Sequence, residues 1–299
     1  MTAGLESAIR TETTPPKLEL AVFRRNYGGN PAVELQDKWD LDPGFKILSG
    51  GVAGVGGNLT VTSFPSMDLK TKRWSWNCAM KNVAEVANCT HEMTLIALHD
   101  PNDEWDVRIF PLESITPEIK QVVDAEVGEG FVLTGGGAKV DRFSSSVLTG
   151  CGPYLDPRAP TENPILAPAF RASSRGISNE LHHLTAYAIG IKPRNQALLK
   201  PHYQVKEFKS SGGGTHHYGH TLLIESANGL CVGGGAFLLD PNRAGELVDK
   251  SPANYLTASL PALDTLGEKP VGWHAASKDQ GGITAAADTF MVTIGLAES

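Results

Sequence analysis

The sequence predicts an all-β protein made of three related units, arranged with pseudo-threefold symmetry in a β-prism-like architecture. One glycine-rich phrase occurs three times, as GFKILSGGVAGV from Gly44, GFVLTGGGAKVD from Gly130 and GLCVGGGAFLLD from Gly229. Short apolar stretches with period-two alternation recur between turn residues, as expected for β-strands. Patterns with helical spacing are scarce, and the 32 glycines and 19 prolines indicate many turns.

Four further landmarks accompany each glycine phrase in a fixed order. Each unit has an upstream stretch ending in phenylalanine: LELAVF, WDVRIF and YQVKEF. Downstream come LTVTSFP, LTGCGP and LTASLP, then WNCAMKN, FRASSRG and WHAASKD, and finally MTLIAL, LTAYAIGI and FMVTIGL. Because chance rarely repeats five landmarks in one order, we divide the chain into units 17–100, 101–192 and 193–299. These units form one predicted domain, which follows an N-terminal arm of residues 1–16.

Each unit is expected to contain five or six strands, or roughly 15 to 18 in all. TPEIKQVVDAEV has some helical spacing, but its counterparts GGNPAVELQDKW and GTHHYGHTLLIE do not, so all three are predicted to be strands. A short helix is predicted only for residues 5–12. The first strand of unit 1 is expected to pair with the last unit and so close the ring. A β-trefoil and a three-bladed propeller are the alternative architectures.

The glycine runs raise the question of a phosphate-binding loop. Such a loop needs glycines between a strand and a helix N-terminus, usually followed by Lys-Ser or Lys-Thr. Here a β-type pattern follows each run, and the sequence contains neither GKS nor GKT. Because a run occurs in every unit, we predict that the glycines allow strands to approach each other closely near a common axis.

The repeated phrases resemble those of an uncharacterised bacterial-type family whose repeats read GF-x-L-x-GGGA, GW-x-A-x-SKD and LTAYAIGI. The resemblance covers nearly the whole chain from Leu18. Unit 3 matches the second phrase best, from Gly272 to Asp279, whereas units 1 and 2 depart from its SKD at Lys81-Asn82 and Arg175-Gly176. The resemblance implies a β-prism-like repeat architecture and no particular chemistry.

Composition excludes several classes of function. The net charge of −7 argues against nucleic acid as a partner, because phosphate contacts need clustered Lys and Arg. No apolar run is long enough for a transmembrane segment. The N-terminal MTAGLESAIRTETTPP lacks the regions of a secretory signal, so we expect a cytoplasmic protein; secretion would require processing. The oligomeric state is not predicted.

The four cysteines are not spaced for a zinc site. No CxxC occurs, so reduced buried thiols are expected, with a hairpin disulfide between Cys78 and Cys89 as the alternative. No cofactor is predicted, apart from the divalent metal considered for a histidine cluster.

Cations and aromatic residues supply the candidate ligand-binding side chains. Lys81, Arg175 and Lys278 each follow an aromatic residue by five positions, an odd offset that places cation and aromatic ring on opposite faces of a strand. Because one such cation occurs in each unit, the three could surround an anionic ligand. A solvated or ion-paired cation is the alternative. The aromatic candidates for stacking on a sugar are Trp76, Trp273, Tyr154 and Tyr255. Core packing is the alternative for both tryptophans.

Histidines supply the candidate metal and catalytic side chains. In THHYGH, His216 and His220 are four residues apart and could hold a divalent metal, although a polar histidine-rich loop also fits. His183 and His217 are candidate general acid/base residues, because histidine titrates near neutral pH. His91 and His182 come at corresponding places in units 1 and 2.

Three functions remain open at this point. The first is a lectin-like protein that binds a carbohydrate or another small molecule. The second is a cofactor-independent isomerase, cyclase or lyase, with one site built by unlike loops 153–169 and 240–255. The third is a toxin or membrane-targeting accessory domain, which an exposed apolar patch at a loop tip would support.

Overall fold

The protein is all-β, as the sequence predicts. A computed structural model describes residues 16–27, 34–54, 58–81, 90–142, 145–154, 169–177, 179–197, 199–209, 217–223, 230–239, 254–279 and 286–295. These residues form eighteen strands and no helix, and so contain no helix that could cross a membrane. The short helix predicted for residues 5–12 lies outside them.

Six strands fall in each of the three sequence units. Unit 1 contains β1 (Leu20–Tyr27), β2 (Glu34–Asp40), β3 (Phe45–Gly54), β4 (Leu59–Met67), β5 (Trp74–Lys81) and β6 (His91–His99). Unit 2 contains β7 (Trp105–Glu113), β8 (Lys120–Glu126), β9 (Val132–Val140), β10 (Ser146–Pro153), β11 (Ala169–Gly176) and β12 (Leu184–Pro193). Unit 3 contains β13 (Lys200–Lys209), β14 (His217–Leu223), β15 (Leu230–Leu239), β16 (Asn254–Leu263), β17 (Pro270–Asp279) and β18 (Ala286–Gly295). The three stretches with ambiguous spacing are the strands β2, β8 and β14.

The strands form three six-stranded antiparallel sheets with related orders. These orders are β1-β6-β3-β16-β17-β14, β7-β12-β9-β4-β5-β2 and β13-β18-β15-β10-β11-β8. Adding six to each strand number, and counting on from β18 to β1, converts one order into the next. Each sheet therefore joins the first, sixth and third strands of one unit to the fourth, fifth and second strands of another. Odd-numbered strands all run toward one end of their sheets, which we call the distal end; the other is the proximal end.

The ring closes through a different strand from the one predicted. β1 pairs with β6 of its own unit and lies at a sheet edge, so the predicted pairing of the first strand with unit 3 is wrong. Unit 1 instead meets unit 3 through β3 and β16, where Val52 lies opposite Ser259. The glycine-rich third strand makes this contact because its small residues allow a neighbouring strand to come close.

The glycine runs lie inside β3, β9 and β15, where they allow a close approach of backbones. A Cβ atom on Gly51 would overlap the carbonyl oxygen of Ser259. A Cβ atom on Gly137 would likewise overlap the carbonyl oxygen of Ser63, and one on Gly235 that of Cys151. Only glycine fits such positions, so packing accounts for the runs without a phosphate.

Large aromatic residues fill the interior beside these glycines. Trp76 donates its indole N–H to Ser63 Oγ at 3.0 Å, and Trp273 donates to Ser259 Oγ at 3.0 Å. In unit 2 the corresponding residues are Phe170 and Cys151. Phenylalanine has no N–H that needs an acceptor, so the hydroxyl is not required there.

Candidate functional site

Three of the aromatic residues chosen from the sequence are buried. Trp76, Trp273 and Tyr255 belong to the core, so the prediction that they stack on a sugar at the surface is wrong. Trp273 lines a cavity of about 10 Å³ between the sheets, which has room for one water molecule and not for a sugar. These side chains point inward because two sheets pack face to face over them.

Tyr154 is half-buried at the proximal end, and one face of its ring is covered. The Arg171 guanidinium lies 3.4 Å from the centre of that ring. Arg171 also donates two hydrogen bonds of 2.6 Å to the carboxylate of Asp124. This arrangement leaves at most one ring face of Tyr154 for a ligand.

The three recurring cations occupy equivalent places in three different sheets. Lys81 lies opposite Leu59, Arg175 opposite Val147 and Lys278 opposite Tyr255, each at the distal end of its strand. Lys81 and Arg175 are half-buried, and the side chain of Lys278 lies outside the described residues. A shared anion among the three stays a prediction.

The histidines of unit 2 mainly fix turns. Nε2 of His182 lies 2.7 Å from Ser174 Oγ, and both residues are buried. Burial lowers the pKa of His182, which keeps the ring neutral. Nδ1 of His183 lies 3.1 Å from the carbonyl oxygen of Ser114, and its backbone N–H donates to Asp141. Its catalytic role stays a prediction.

The correspondence expected between His91 and His182 is wrong by two residues. In the strand ladders His91 lies opposite Gly54, whereas Leu184 lies opposite the equivalent Val140. His91 therefore corresponds to Leu184. His91 is the first residue of β6, whereas His182 lies two residues before the start of β12.

The histidine cluster of unit 3 lies only partly within the described residues. His216 lies outside them, and so does the side chain of His217. The backbone of His217 belongs to β14 and pairs with Lys278 of β17. His220 is half-buried in the same strand. Where side chains are described, no three His, Cys, Asp or Glu residues are placed to hold a metal. A metal at His216 and His220, and catalysis by His217, stay predictions.

Three of the cysteines are buried free thiols: Cys78, Cys151 and Cys231. Burial raises the pKa of each to about 12, so none is a thiolate at neutral pH. The free thiol of Cys78 agrees with the expected reduced state and not with the alternative of a disulfide to Cys89, which itself lies outside the described residues.

The two loops proposed to shape one substrate pocket leave their sheet at opposite ends. Loop 153–169 begins where β10 ends, at the proximal end, whereas loop 240–255 begins where β15 ends, at the distal end. These strands run in opposite directions because they pair in antiparallel fashion. Residues 155–168 and 240–253 lie outside the described residues, so a pocket shared by the two loops stays a prediction.

Unit 1 brings together a set of functional groups that the sequence pattern did not single out. We call it the distal cluster: Arg25 and Tyr27 on β1, Asp37 and Trp39 on β2, and His91 on β6. The Tyr27 and His91 rings stack, with centres 4.8 Å apart and planes 7° from parallel. The Arg25 guanidinium lies 4.8 Å from the centre of the Tyr27 ring and 5.9 Å from that of Trp39.

An imidazole–carboxylate contact holds the cluster together. Nε2 of His91 lies 2.7 Å from Oδ2 of Asp37. His91 is only 2% exposed, and this burial lowers its pKa, although Asp37 acts in the opposite direction. The buried ring is therefore neutral, and its Nε2 lies close to the carboxylate without the geometry of a hydrogen bond. The Asp37 side chain remains 28% exposed, so a ligand can reach its carboxylate.

The distal cluster occurs in unit 1 and has no counterpart in unit 2. The five corresponding positions there are Leu112, Ser114, Val123, Ala125 and Leu184. Alternation in FRRNY and LQDKWD could have revealed the cluster, because residues two apart share a strand face. What the sequence did not show is that these two faces meet.

Comparison with known proteins does not assign this geometry to a family. No protein-family model matches the sequence, and no curated protein matches it either. The likeness of the repeats to a bacterial-type family stays a prediction.

Proposed function

We propose that the protein binds a carbohydrate, or another small molecule rich in hydroxyl groups, at the distal cluster. The observation that carries the proposal is the half-exposed ring of Trp39 beside the partly exposed carboxylate of Asp37. The apolar face of a sugar ring stacks on an aromatic side chain, and charged groups such as Asp37 and Arg25 bond its hydroxyls. These are the functions that a lectin-like site needs.

The cluster is organised before a ligand arrives. Arg25 already lies against two rings, and His91 is already stacked on Tyr27 and close to Asp37. Binding therefore orders few side chains, which lowers its entropic cost. Residues on strands also hold their positions more firmly than residues on a loop.

We further infer that the three units form a β-prism with pseudo-threefold symmetry. The recurring strand order of the sheets supports this arrangement, as does the recurring contact of glycine with a carbonyl oxygen. The aliphatic and small residues that replace the cluster in unit 2 favour unlike sites on a symmetric framework. We therefore expect unit 1 to bind its ligand without an equivalent site in unit 2.

Alanine at Trp39 should weaken binding at least tenfold, because the stacking surface is lost; this corresponds to about 1.4 kcal/mol. Isothermal titration calorimetry with methyl glycosides of glucose, galactose, mannose and N-acetylglucosamine measures the change in Kd. Tyr154→Ala is the matched control, since it removes a half-buried aromatic ring far from the cluster. Loss of affinity in Tyr154→Ala, with affinity kept in Trp39→Ala, would move the site to the proximal end.

An exposed apolar tip in unit 2 favours a second function, attachment to a lipid surface. Ile115 is 96% exposed and Leu181 is 52% exposed. Their two turns are held together by backbone hydrogen bonds between Glu118 and His182, of 3.1 and 3.2 Å. A rigid apolar tip of this kind can enter a bilayer interface.

Sedimentation with phosphatidylcholine vesicles tests the tip. We expect part of the wild-type protein to sediment with the vesicles, and Ile115→Ser to stay in solution because the most exposed apolar side chain is gone. Leu266→Ser is the control, since Leu266 is 76% exposed at the proximal end. Equal sedimentation of both variants would rule out the tip as the contact.

A further inference from the structure

Arg25 is the exposed cation of the distal cluster. It belongs to the edge strand β1 and points to the same face as Tyr27, because the two residues are two positions apart. Its guanidinium lies 4.8 Å from the centre of the Tyr27 ring and 5.9 Å from that of Trp39. The attraction between a cation and aromatic rings holds the guanidinium in place and does not depend on its N–H groups.

Arg25 differs from other arginines of the protein because it has no carboxylate partner. Within the part of the chain that the structure describes, the Arg25 side chain forms no ion pair. Most other arginines in that part lie 2.6 to 3.9 Å from a carboxylate oxygen: Arg24, Arg73, Arg108, Arg142, Arg171 and Arg194. The N–H donors of Arg25 are therefore open to a ligand.

The carboxylates of Asp37 and Glu92 have other partners. Oδ2 of Asp37 lies 2.7 Å from Nε2 of His91. The Glu92 carboxylate accepts a hydrogen bond of 2.6 Å from Arg24 and one of 3.0 Å from Thr94 Oγ1. Arg24 and Arg25 are adjacent, so their side chains point to opposite faces of β1, and the pair of Arg24 with Glu92 lies away from the cluster.

The fold itself does not require a cation at this position. Arg25 lies opposite Met93 in unit 1, and Leu112 lies opposite Ala186 at the corresponding place in unit 2. Leu112 is 50% exposed, so that place is at the surface in both units. An apolar residue serves the strand equally well there, and the exposed guanidinium is a property of unit 1.

We propose that the distal cluster takes a sugar that carries a carboxylate group, and that Arg25 binds this carboxylate through two N–H groups. This inference rests on the proposed function of the distal cluster. A guanidinium and a carboxylate match in shape and form two parallel hydrogen bonds. The guanidinium lies 5.9 Å from the centre of the Trp39 ring, so a sugar stacked on that ring meets it with a group at its rim. The carboxylate of a uronic acid is such a group.

Asp37 sets the orientation of the sugar and disfavours a second negative charge. Its partly exposed carboxylate repels that of the ligand, so the ligand carboxylate lies toward Arg25 and the ring hydroxyls lie toward Asp37. A phosphate group carries nearly two negative charges, whereas Arg25 supplies one positive charge. A sugar phosphate is therefore matched less well than a sugar with a carboxylate.

Isothermal titration calorimetry at low ionic strength, with methyl glucuronide and methyl glucoside, tests the role of Arg25. The two glycosides differ at the carboxylate, and we expect the wild-type protein to bind the glucuronide at least tenfold more tightly. Arg25→Gln should bind both equally. Arg25→Lys should lose most of the preference, because lysine keeps the charge but not the planar pair of donors. Arg24→Gln is the matched control and should keep the full preference, since Arg24 faces Glu92.

Each way in which this inference fails differs from failure of the proposed function. Equal affinity of the wild-type protein for the two glycosides, with both lost in Trp39→Ala, would overturn the inference and leave the proposed function intact. A preference that survives in Arg25→Gln, or that Arg24→Gln also removes, would place the carboxylate elsewhere. Tighter binding of glucose 6-phosphate than of methyl glucuronide would overturn the choice of a carboxylate. If the protein binds no sugar, the proposed function fails and this inference fails with it.

Discussion

Gly137→Ala should destabilise the protein by about 3 kcal/mol or more, because a methyl group added there has no room. The added Cβ atom would overlap the carbonyl oxygen of Ser63, which is a backbone atom and cannot rotate away. The contact lies where β9 of unit 2 meets β4 of unit 1, so the strain falls on the junction between units. Urea denaturation followed by far-ultraviolet circular dichroism measures the loss.

Lys139→Ala is the control for this prediction. Lys139 lies two residues farther along the same strand, and therefore on the same face, but is half-exposed. We expect its free energy of unfolding to stay within about 0.5 kcal/mol of the wild type. A Gly137→Ala variant with the wild-type urea midpoint would show that the two backbones do not approach closely in solution.

Lys46→Met should lower the free energy of unfolding by about 3 kcal/mol, the second large effect. Nζ of Lys46 lies 2.6 Å from a carboxylate oxygen of Asp100, 2.6 Å from one of Asp103 and 2.7 Å from the carbonyl oxygen of Trp105. Asp100 is buried, so removal of Nζ takes an ion-pair partner from a carboxylate that solvent does not reach. The group ties β3 to the turn between units 1 and 2, so thermal unfolding should begin at a lower temperature.

Lys38→Met is the control, because it removes a lysine from an exposed ion pair instead of a buried one. Nζ of Lys38 lies 2.8 Å from the Asp40 carboxylate, but both side chains are about half-exposed, at 55% and 50%. Solvent screens such a pair, and its removal should change stability by at most about 0.5 kcal/mol. Equal losses in Lys46→Met and Lys38→Met would mean that the Lys46 group is not desolvated.

The strands could be predicted from local pattern, but the pairing between units could not. Period-two alternation and turn residues indicated a strand at each landmark, and the structure has a strand at each. The partner of β1 was missed because pairing depends on contacts between residues far apart in sequence. Two residue pairs join β3 to β16, Val52 with Ser259 and Ala53 with Ala258. Neither strand has a sequence pattern that identifies the other as its partner.

The candidate site shows the same division. The sequence made Trp76, Trp273 and Tyr255 conspicuous because they recur or follow conspicuous phrases, and the structure buries all three. Tyr27 and Trp39 are also aromatic, but they belong to edge strands of two different sheets. The two residues lie close together because of how those sheets pack, which cannot be predicted from the sequence of either strand.

Local sequence patterns were enough to predict an all-β protein, the positions of its strands and the presence of glycines inside them. Those properties depend on neighbouring residues, whose alternation decides which side chains can be buried together. Which face of each strand meets another sheet depends on the packing of the sheets. Burial is a property of two surfaces in contact, so this packing places Trp76 in the core and leaves Trp39 half-exposed.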